Sequence, residues 1–388
     1  MKTPVVIATI LRPEGETGVQ THFQAFAHWL RARHAAVSVV TPFDAPRYLV
    51  YPVFGLRRLV HLFNTPFSVW WYRHWHAWFL RSALRQRLKH SGPCVIYAQC
   101  PLSAQAALAA RTSPEQRVVM VVHFNVSQAD EWAGKGLIAE QGRGFVAIAA
   151  FEALWLPRLD GIIHVSDFMR RQLLLRIPAM SQVPSQIIPN FLSDPGEVPM
   201  RDDTRDHLIC IGSLEPRKNQ RYALHIIAIT KSLGRPLRLT IVGDGPDRAE
   251  LEWLANKLDI EVYVTFVGYV KQASVLLGQY QAYLHVAQIE NCPFVLIEAM
   301  ARGVPMFAVA SGGVPETFDD GVEGQFIPLD NAEQAALLIL GWFDSAGQLA
   351  RAGLAARRRF LNRFEATHSA RRLASFLDSP QVLEELPA

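Results

Sequence analysis

Two glutamates, Glu290 and Glu298, lie eight positions apart in the mostly apolar stretch IENCPFVLIEAM of residues 289–300. A buried carboxylate without a partner is costly, or its pKa shifts until the group is neutral. Two charges in such a stretch therefore either face water or are needed by something else in a functional site. The stretch alone fits both exposure to water and a role in a functional site.

Three further side chains that could do chemistry follow predicted strands. Arg217 and Lys218 come shortly after LICIGSL (208–214), where they could neutralise an anionic ligand or simply begin a solvated helix. His123 ends the strand VVMVVH (118–123), a position at which a lone histidine is often structural. No group of His, Cys, Asp and Glu has metal-ligand spacing, so we expect no bound metal and no cofactor.

Short β-branched runs alternate with helical patterns along the chain, and most of these runs are apolar on both faces. This rhythm is typical of parallel sheets covered by helices, so the sequence predicts an α/β fold with doubly wound, Rossmann-like domains. The predicted strands include residues 5–11, 35–43, 94–100, 117–124, 160–168, 207–214, 237–246, 261–270, 282–287 and 304–310. Predicted helices follow the first strand and cover residues 217–233, 247–258 and about 294–302.

A break rich in Pro, Asp and Gly at residues 187–206 separates two such series. We expect an N-terminal domain at 1–194, a ligand-binding domain at 195–365 and a tail at 366–388 that packs back on the first domain. In doubly wound sheets ligands bind beyond the carboxyl ends of the strands, and with two domains the cleft between them is the expected site.

Charge is distributed unevenly over the 388 residues. Residues 1–190 hold 20 Lys and Arg against 10 Asp and Glu, whereas residues 191–388 hold 19 against 25. A basic N-terminal half favours an anionic partner such as a phosphorylated substrate, a phospholipid surface or nucleic acid. The four cysteines have no C-x-x-C spacing, which indicates reduced thiols and a cytoplasmic protein.

Three blocks in the second half, IGSLEPRKNQ (211–220), FVGYV (266–270) and the run from 289 to 316 that ends in SGGVPE, carry a specific resemblance. Together they resemble the retaining glycosyltransferases of family four, which have the two-domain GT-B fold. The resemblance extends to the TGV loop at 17–19, VVHF (121–124), VSDF (165–168) and IIPN (187–190). Within that family, the chain resembles bacterial mannosyl- and glucosyltransferases of polysaccharide assembly.

The resemblance implies a role for each matched residue. Glu298 would bind the ribose hydroxyls of a nucleotide-sugar and Glu290 the transferred sugar, with Lys218 and Arg217 at the diphosphate. His123 would lie close to the transferred sugar, so His123, Glu290 and Lys218 form the predicted catalytic set. The predicted donor-binding set adds residues of three loops: Gly18, Val19, Val270, Phe294 and Val295.

Two departures from the family pattern affect this interpretation. Ser213 stands where the family often has an arginine, so Lys218 acts alone or Arg217 substitutes for the missing cation. Asn291, Cys292 and Pro293 stand where the family often has Gly-Phe-Gly, and proline has no N–H to offer. The second departure bears on the identity of the sugar more than on activity.

The predicted function is therefore transfer of a hexose, with GDP-mannose weakly favoured over UDP-glucose, to a glycan or polyprenyl-diphosphate-linked acceptor with retention of anomeric configuration. The resemblance implies that no metal is needed, because Lys218 and helix N-termini replace it. A nucleotide-sugar 2-epimerase of the same fold is an alternative, and so is a non-catalytic membrane-binding adaptor.

The segment from 63 to 90 holds four of the nine tryptophans, five basic residues and no acid. Phe67, Trp71, Trp75 and Trp78 fall close to helical spacing, so one face is predicted to be aromatic. This pattern is typical of an in-plane membrane anchor, although an ordinary core helix with a basic side is the alternative. Nucleic acid fits less well because the tryptophans cluster. We therefore expect a peripheral protein on the inner, anionic face of the cell membrane.

Overall fold

The computed structural model describes residues 3–15, 17–196 and 207–380. These ranges omit half of the predicted linker at 187–206, Glu16 of the GETGV loop and the acidic end of the tail. The chain divides into two compact units. Met1–Pro189 and Ser369–Ala388 form unit 1, and Asn190–His368 form unit 2.

Unit 1 is built on a six-stranded parallel sheet. Its strands are β1 (Val5–Ala8), β2 (Val37–Val40), β3 (Cys94–Ala98), β4 (Gln116–Val122), β5 (Gly161–His164) and β6 (Ser185–Ile187). Its helices are α1 (Gly18–Arg31), α2 (Arg47–Phe63), α3 (Thr65–Leu88), α4 (Pro101–Leu108), α5 (Gln128–Gly134), α6 (Arg143–Trp155) and α7 (Asp167–Arg176). The strand order is β2-β1-β3-β4-β5-β6, so the direction of winding reverses between β1 and β3.

Unit 2 repeats the plan with another six-stranded parallel sheet. Its strands are β7 (His207–Ile211), β8 (Arg238–Val242), β9 (Val264–Gly268), β10 (Ala282–His285), β11 (Met306–Val309) and β12 (Gly324–Ile327). Its helices are α8 (Gln220–Ser232), α9 (Arg248–Lys257), α10 (Phe294–Ala301), α11 (Ala332–Asp344) and α12 (Gln348–Arg359). The order β12-β11-β10-β7-β8-β9 reverses between β7 and β10.

The central strands are apolar on both faces because helices cover both sides of each sheet. All residues of β3, β10 and β11 are buried, as expected for strands that never face water. This confirms the predicted α/β class with two doubly wound parallel sheets.

The last helix, α13 (Ala366–Asp378), begins in unit 2, and from Ser369 onward its residues belong to unit 1. Arg372 donates to the carbonyl of Ile187 at 3.0 Å. Arg117 of β4 donates to the carbonyls of Leu377 and Asp378 at 2.9 Å each. These bonds hold the C-terminal part of the helix on the sheet of unit 1.

The aromatic face predicted for the 63–90 helix is present, since its four rings contact one another in series, but two of them, Trp71 and Trp75, are partly buried. Trp71 is half-buried and donates its indole N–H to the carbonyl of Val53 in α2 at 2.9 Å. Trp75 packs against Phe79 in the small core that α3 shares with α2. Because α2 covers that side of α3, the exposed aromatic residues of α3 are Phe67, Trp70 and Trp78.

The exposed apolar surface instead extends over α2 and the turn that joins it to α3. Its most exposed side chains are Tyr48, Leu59, Leu62 and Phe63, and Phe63 is 89% exposed. Neither helix contains an Asp or Glu. We call this α2–α3 surface the apolar hairpin face. In the part of the chain that the structure describes, no helix is both long and apolar enough to cross a membrane.

Candidate functional site

The candidate site of unit 2 lies at the carboxyl ends of β7 and β10, the two neighbouring strands at which the winding reverses. Such a switch point leaves a crevice, because the loops after the two strands lead to opposite sides of the sheet. The loop after β7 carries Arg217 and Lys218, and the loop after β10 carries Glu290. The topology therefore brings together residues that are 72 positions apart in the sequence.

The two cations stand on a short 3₁₀ turn, Pro216–Lys218, and not within the helix predicted at 217–233. Asn219 follows with a positive φ of 55° and separates this turn from α8. Asparagine tolerates the left-handed region better than most residues, which explains the break. As a result Lys218 lies before the N-terminus of α8, beside the strand ends.

Glu290 accepts hydrogen bonds from both cations on one oxygen, Oε1. The distances are 2.6 Å to Lys218 Nζ and 2.7 Å to Arg217 Nη1, and the Glu290 side chain is only 12% exposed. Burial alone raises the pKa of Glu290, but Lys218 and Arg217 outweigh burial and lower that pKa to about 2. Glu290 is therefore ionised at every physiological pH, and its charge holds the two cations in place. Arg217 Nη2 also bonds Glu215 at 2.9 Å.

Backbone contacts fix the Glu290 loop from two sides. The N–H of Gly313 donates to the Glu290 carbonyl at 2.8 Å, and the N–H of Gln288 donates to the Arg217 carbonyl at 2.9 Å. Gly312 has φ +62°, and a Cβ at this position would lie 2.2 Å from the Glu290 carbonyl oxygen. The SGGVPE block thus needs glycine for a close approach to the glutamate loop.

Asn190 of the IIPN block has a positioning role that its sequence pattern did not reveal. Its side-chain N–H donates to the carbonyl of Cys292 at 2.7 Å, and both side chains are buried. Pro293 follows in an extended conformation and immediately precedes α10. Asn190 therefore anchors the segment in which this chain departs from the usual Gly-Phe-Gly.

Glu298 lies inside α10 (Phe294–Ala301) and is the single polar residue of that helix. Burial raises the pKa of Glu298 to about 7, although Arg302 partly opposes this rise. Among the described residues its carboxylate has no hydrogen-bond partner, in contrast to Glu290. The two glutamates therefore differ in protonation: Glu290 is fully charged, and Glu298 is poised between its two forms near neutral pH.

Two buried side chains beside these glutamates have no recognisable signature in the sequence. The hydroxyl of Tyr283 lies 3.2 Å from His285 Nδ1, and the charges of both Glu290 and Glu298 act on this tyrosine. Burial lowers the pKa of His285 to about 4, so the imidazole is neutral. Its Nε2 is buried and has no partner within the described part of the chain. Both residues lie on a buried strand, where polar side chains are unusual.

The remaining donor-site predictions for unit 2 fall in the loop after β9 and at the start of α10. Val270 is two residues beyond the end of β9 and is half-buried. Phe294 and Val295 form the first turn of α10, and both are also half-buried. The structure therefore leaves all three side chains partly accessible.

The predicted residues of unit 1 form a separate group. His123 follows β4, and its ring meets that of His22 edge-on with centroids 4.8 Å apart. Tyr97 of β3 contacts His22 through its hydroxyl at 2.7 Å. Burial, together with His22, lowers the pKa of His123 well below its ordinary value, so the ring is neutral. Its Nε2 is buried and has no partner among the described residues.

Gly18 and Val19 begin α1, which follows the carboxyl end of β1. Thr17 caps this helix, and Gln20 completes a capping box by bonding the Thr17 N–H at 3.2 Å. Both Gly18 and Val19 are half-buried. In residues 3–15, 17–196 and 207–380, no three His, Cys, Asp or Glu side chains are grouped to hold a metal ion.

Comparison with known families gives two matches that together account for most of the chain. Residues 17–193 match Glycosyltransferase Family 4, and residues 197–359 match Glycosyl transferases group 1. The second match contains Lys218, Arg217, Glu290 and Glu298, and the first contains His123.

Individual relatives match parts of the chain or its fold. The amylovoran biosynthesis glycosyltransferase AmsK of Erwinia amylovora is 27% identical over 184 residues, which are 44% of this chain and 44% of AmsK. A GDP-mannose-dependent alpha-(1-6)-phosphatidylinositol monomannoside mannosyltransferase of Mycolicibacterium smegmatis is 25% identical over 45% of this chain and 48% of the relative. Each match thus spans less than half of the curated relative.

A solved structure extends the likeness in fold to nearly the whole chain. HepE of Anabaena, in complex with UDP and glucose, superposes with a TM-score of 0.66 at 16% identity, over 98% of this chain and all of HepE. The matches to both sequence families and the two doubly wound sheets lead to one conclusion. This chain belongs to the glycosyltransferases, with the GT-B fold, a family-4 type N-terminal region and a group-1 C-terminal region.

Proposed function

We propose that the chain transfers a hexose from a nucleotide-sugar to a hydroxyl of a glycan or lipid-linked acceptor, with retention of anomeric configuration, in the assembly of a cell-surface polysaccharide. One observation carries this proposal: Lys218 and Arg217 converge on a single oxygen of Glu290 at the switch point of unit 2. A crevice at which two cations meet an ionised carboxylate suits a ligand that combines a diphosphate with hydroxyl groups.

The donor diphosphate would compete with Glu290 for the two cations. Without donor, the charges of Arg217, Lys218, Glu215 and Glu290 balance, so the cluster is neutral and stable. A diphosphate that enters takes over the hydrogen bonds of Lys218 and Arg217. Glu290 is then free to accept hydrogen bonds from the sugar, while the cations stabilise the negative charge that develops on the leaving group.

Glu298 would bind the two ribose hydroxyls. Its carboxylate has no partner within the described chain, and a carboxylate can accept two hydrogen bonds from neighbouring hydroxyls. Only the ionised form accepts both bonds, and a pKa of about 7 means that the donor would bind to a partly protonated group. The first turn of α10, with Phe294 and Val295, would direct backbone N–H groups towards the diphosphate.

The transfer step breaks the bond between the anomeric carbon and the diphosphate oxygen and forms one to the acceptor oxygen on the same face. A diphosphate oxygen takes the proton of the acceptor hydroxyl, so the products are a glycoside and a nucleoside diphosphate. We assign no residue as a covalent nucleophile. His123, whose ring is neutral and whose Nε2 has no partner among the described residues, would form a hydrogen bond with the transferred sugar. Lys218 and Arg217 carry the charge stabilisation that a metal supplies elsewhere.

GDP-mannose is the first donor to test and UDP-glucose the second. The mycobacterial relative is named for its dependence on GDP-mannose, which supports the first choice. The HepE structure contains UDP and glucose, which supports the second. The replacement of Gly-Phe-Gly by Asn291, Cys292 and Pro293 removes one backbone N–H near the sugar, and this change bears on which hexose is accepted.

The acceptor would be reached at a membrane surface. The apolar hairpin face exposes Leu62 and Phe63 beside basic residues such as Arg58, without any acidic side chain in either helix. Apolar side chains that insert shallowly and basic residues that meet anionic lipid favour the same orientation on a bilayer. We therefore propose peripheral binding to an anionic membrane and a polyprenyl-diphosphate-linked glycan as the acceptor.

The test is incubation of the purified chain with a panel of radiolabelled nucleotide-sugars and a membrane extract, with and without a chelator. We expect label in a lipid-extractable or polysaccharide fraction, an unchanged rate with chelator, and a product whose anomeric configuration equals that of the donor by NMR. Interconversion of the sugars without transfer would establish an epimerase instead. A donor panel that yields neither transfer nor interconversion would contradict an enzymatic role.

A further inference from the structure

Unit 1 contains a pocket that none of the donor-site residues touch. It has a volume of about 410 Å³, within the usual range for ligand sites, and lies between α3, α4 and α6. Its walls are mostly apolar and include Val69, Trp70, Trp78, Leu102, Ile148 and Phe151. A pocket with such walls suits a hydrocarbon chain.

Arg73 lines one side of the pocket and is buried, with only 8% of its surface exposed. Its Nη1 donates to the side chain of Gln128 at 2.8 Å, and its guanidinium lies 5.1 Å from the centroid of the Phe151 ring. The other terminal nitrogen, Nη2, is buried and has no hydrogen-bond partner among the described residues. The guanidinium of this pocket-lining residue thus has an unused donor among the described residues.

The described structure supplies no direct counter-charge for Arg73. Glu152 is the acid with the largest electrostatic effect on it, but the Glu152 carboxylate is bonded to Arg176 at 2.9 Å and to the N–H of Gln128 at 3.0 Å. A buried cation without a bonded anion is costly, so an anion that enters the pocket would be strongly favoured. Arg81, also on α3, adds a second positive charge to the lining, and among the described residues no acidic side chain lines the pocket.

The rim of the pocket is continuous with the exposed aromatic residues of α3. Trp70 and Trp78 both line the pocket, and they are 51% and 40% exposed. Tryptophan at such a rim is typical of sites that meet the membrane–water interface. The surroundings thus combine an apolar interior, a buried positive charge and an amphipathic entrance.

We propose that this pocket binds a single-chain lipid phosphate, with the hydrocarbon chain against the apolar walls and the phosphate paired with Arg73 and Arg81. This inference goes beyond the proposed transfer reaction. Its test measures binding without donor or acceptor, so its failure is distinguishable from failure of the proposed function.

The experiment is titration of the whole protein with farnesyl phosphate below its micellar concentration, read by the fluorescence of the pocket tryptophans and by thermal shift. Farnesol supplies the chain without the anion, inorganic phosphate supplies the anion without the chain, and dodecyl phosphate supplies a straight chain. We expect farnesyl phosphate to bind about ten- to a hundredfold more tightly than farnesol, because a charge-assisted hydrogen bond is added. Tighter binding of dodecyl phosphate would identify a straight-chain source, tighter binding of farnesyl phosphate an isoprenoid source, and equal binding a site for either kind of single-chain lipid phosphate.

Two variants with matched controls locate the binding. Ala147→Trp, at an exposed position that lines the pocket, should fill it and abolish binding. Ala150→Trp, on the same helix but outside the pocket lining, should bind like wild type. Arg73→Met should weaken the binding of farnesyl phosphate at least tenfold, with Arg81 left as the remaining cation of the lining, and should leave the binding of farnesol unchanged. Arg143→Met changes an exposed arginine of the same helix as Phe151, outside the pocket lining, and should have no effect.

Stability distinguishes loss of a ligand site from loss of the fold. Arg73→Met removes a buried, incompletely paired cation, so its melting temperature without ligand should be equal to or above that of wild type. Wild-type affinity of Ala147→Trp for farnesyl phosphate would overturn the proposal, because binding would then lie elsewhere. Equal affinities for farnesyl phosphate and farnesol would overturn the assignment of a phosphate, and a titration with no signal would refute the site.

Discussion

Lys218 Nζ lies 2.6 Å from Oε1 of Glu290, and Arg217 Nη1 lies 2.7 Å from the same oxygen. The three charges occupy the loops after β7 and β10, which are neighbours in the sheet although their sequences are far apart. A shared oxygen means that each cation is held in position by the same carboxylate. Both cations are therefore fixed at the switch point of unit 2, where we propose that the donor diphosphate binds.

Replacement of Lys218 by Ala should reduce the rate of hexosyl transfer about 30- to 1000-fold. A charge-assisted contact to the leaving diphosphate contributes on the order of 2–4 kcal/mol to transition-state stabilisation. The measurement is kcat with labelled donor, and Lys257→Ala, on an exposed position of α9, is the matched control. Wild-type turnover by a folded Lys218→Ala protein would remove Lys218 from the catalytic set.

The raised pKa of Glu298 predicts that nucleotide binding depends on pH. Because burial raises the pKa of Glu298 to about 7, the carboxyl is largely neutral at pH 6 and largely ionised at pH 8. If the ionised form binds the ribose, affinity for a nucleoside diphosphate should rise over this range, and Glu298→Gln should bind weakly at both pH values. Calorimetric titration at pH 6 and pH 8 measures this, and equal affinities in wild type would contradict the ribose role.

The ionised carboxylate of Glu298 should lower the free energy of unfolding at alkaline pH. The folded pKa of Glu298, about 7, is above the ordinary value of 4.5, so its contribution to stability is complete below pH 4.5 and is lost as pH rises through 7. Glu298→Gln should therefore melt at a higher temperature than wild type at pH 8, by roughly 2–4 °C for each 1 kcal/mol gained. The difference should shrink at pH 5, and a constant difference would show that the carboxyl does not titrate in this way.

His123→Asn should lower kcat about tenfold and leave the dissociation constant of the nucleoside diphosphate unchanged, since the proposed partner of His123 is the sugar. Burial keeps the pKa of His123 well below its ordinary value, so protonation of this ring should not appear in the rate profile above pH 6. His90→Asn, at an exposed position of unit 1, serves as the control. An unaltered kcat would leave His123 with only its packing against His22.

Membrane binding depends on the apolar hairpin face. Leu62→Ser should reduce the affinity for anionic vesicles, measured by flotation, about ten- to a hundredfold, because one leucine that leaves water contributes about 1.5–3 kcal/mol. Leu175→Ser is a close control, since Leu175 is 76% exposed and Leu62 is 77% exposed, but Leu175 lies on α7. Binding should also fall with added salt. Equal loss in both variants, or no flotation of wild type at low salt, would refute the anchor.

Local patterns were sufficient to predict the fold class, and the family resemblance singled out residues that the structure brings together in unit 2. Apolar runs with β-branched residues predicted the strands, because strands covered on both sides must be apolar throughout. The blocks at 211–220 and 289–316 predicted Lys218, Arg217 and Glu290, and the structure brings these three together. Their roles in donor binding stay predictions.

Relationships that depend on tertiary contact could not be read from the sequence. The left-handed residue Asn219, which keeps Lys218 out of α8, resembles an ordinary helix start in the sequence. Trp71 and Trp75 had the spacing of an exposed face, but packing of α2 against α3 buries much of both. The bond from Asn190 to the Cys292 carbonyl joins residues 102 positions apart, which no local pattern can indicate.

The proposed role of Lys218 is tested most directly by the gain in nucleotide affinity that the β-phosphate provides. Calorimetric titrations of nucleoside monophosphate and diphosphate, with guanosine and uridine bases, into wild type, Lys218→Met and Lys257→Met measure this increment. We predict that wild type and Lys257→Met bind the diphosphate at least tenfold more tightly than the monophosphate, and that Lys218→Met loses most of this difference. An increment of the same size in Lys218→Met would contradict the claim that the cations at the switch point of unit 2 bind the donor diphosphate.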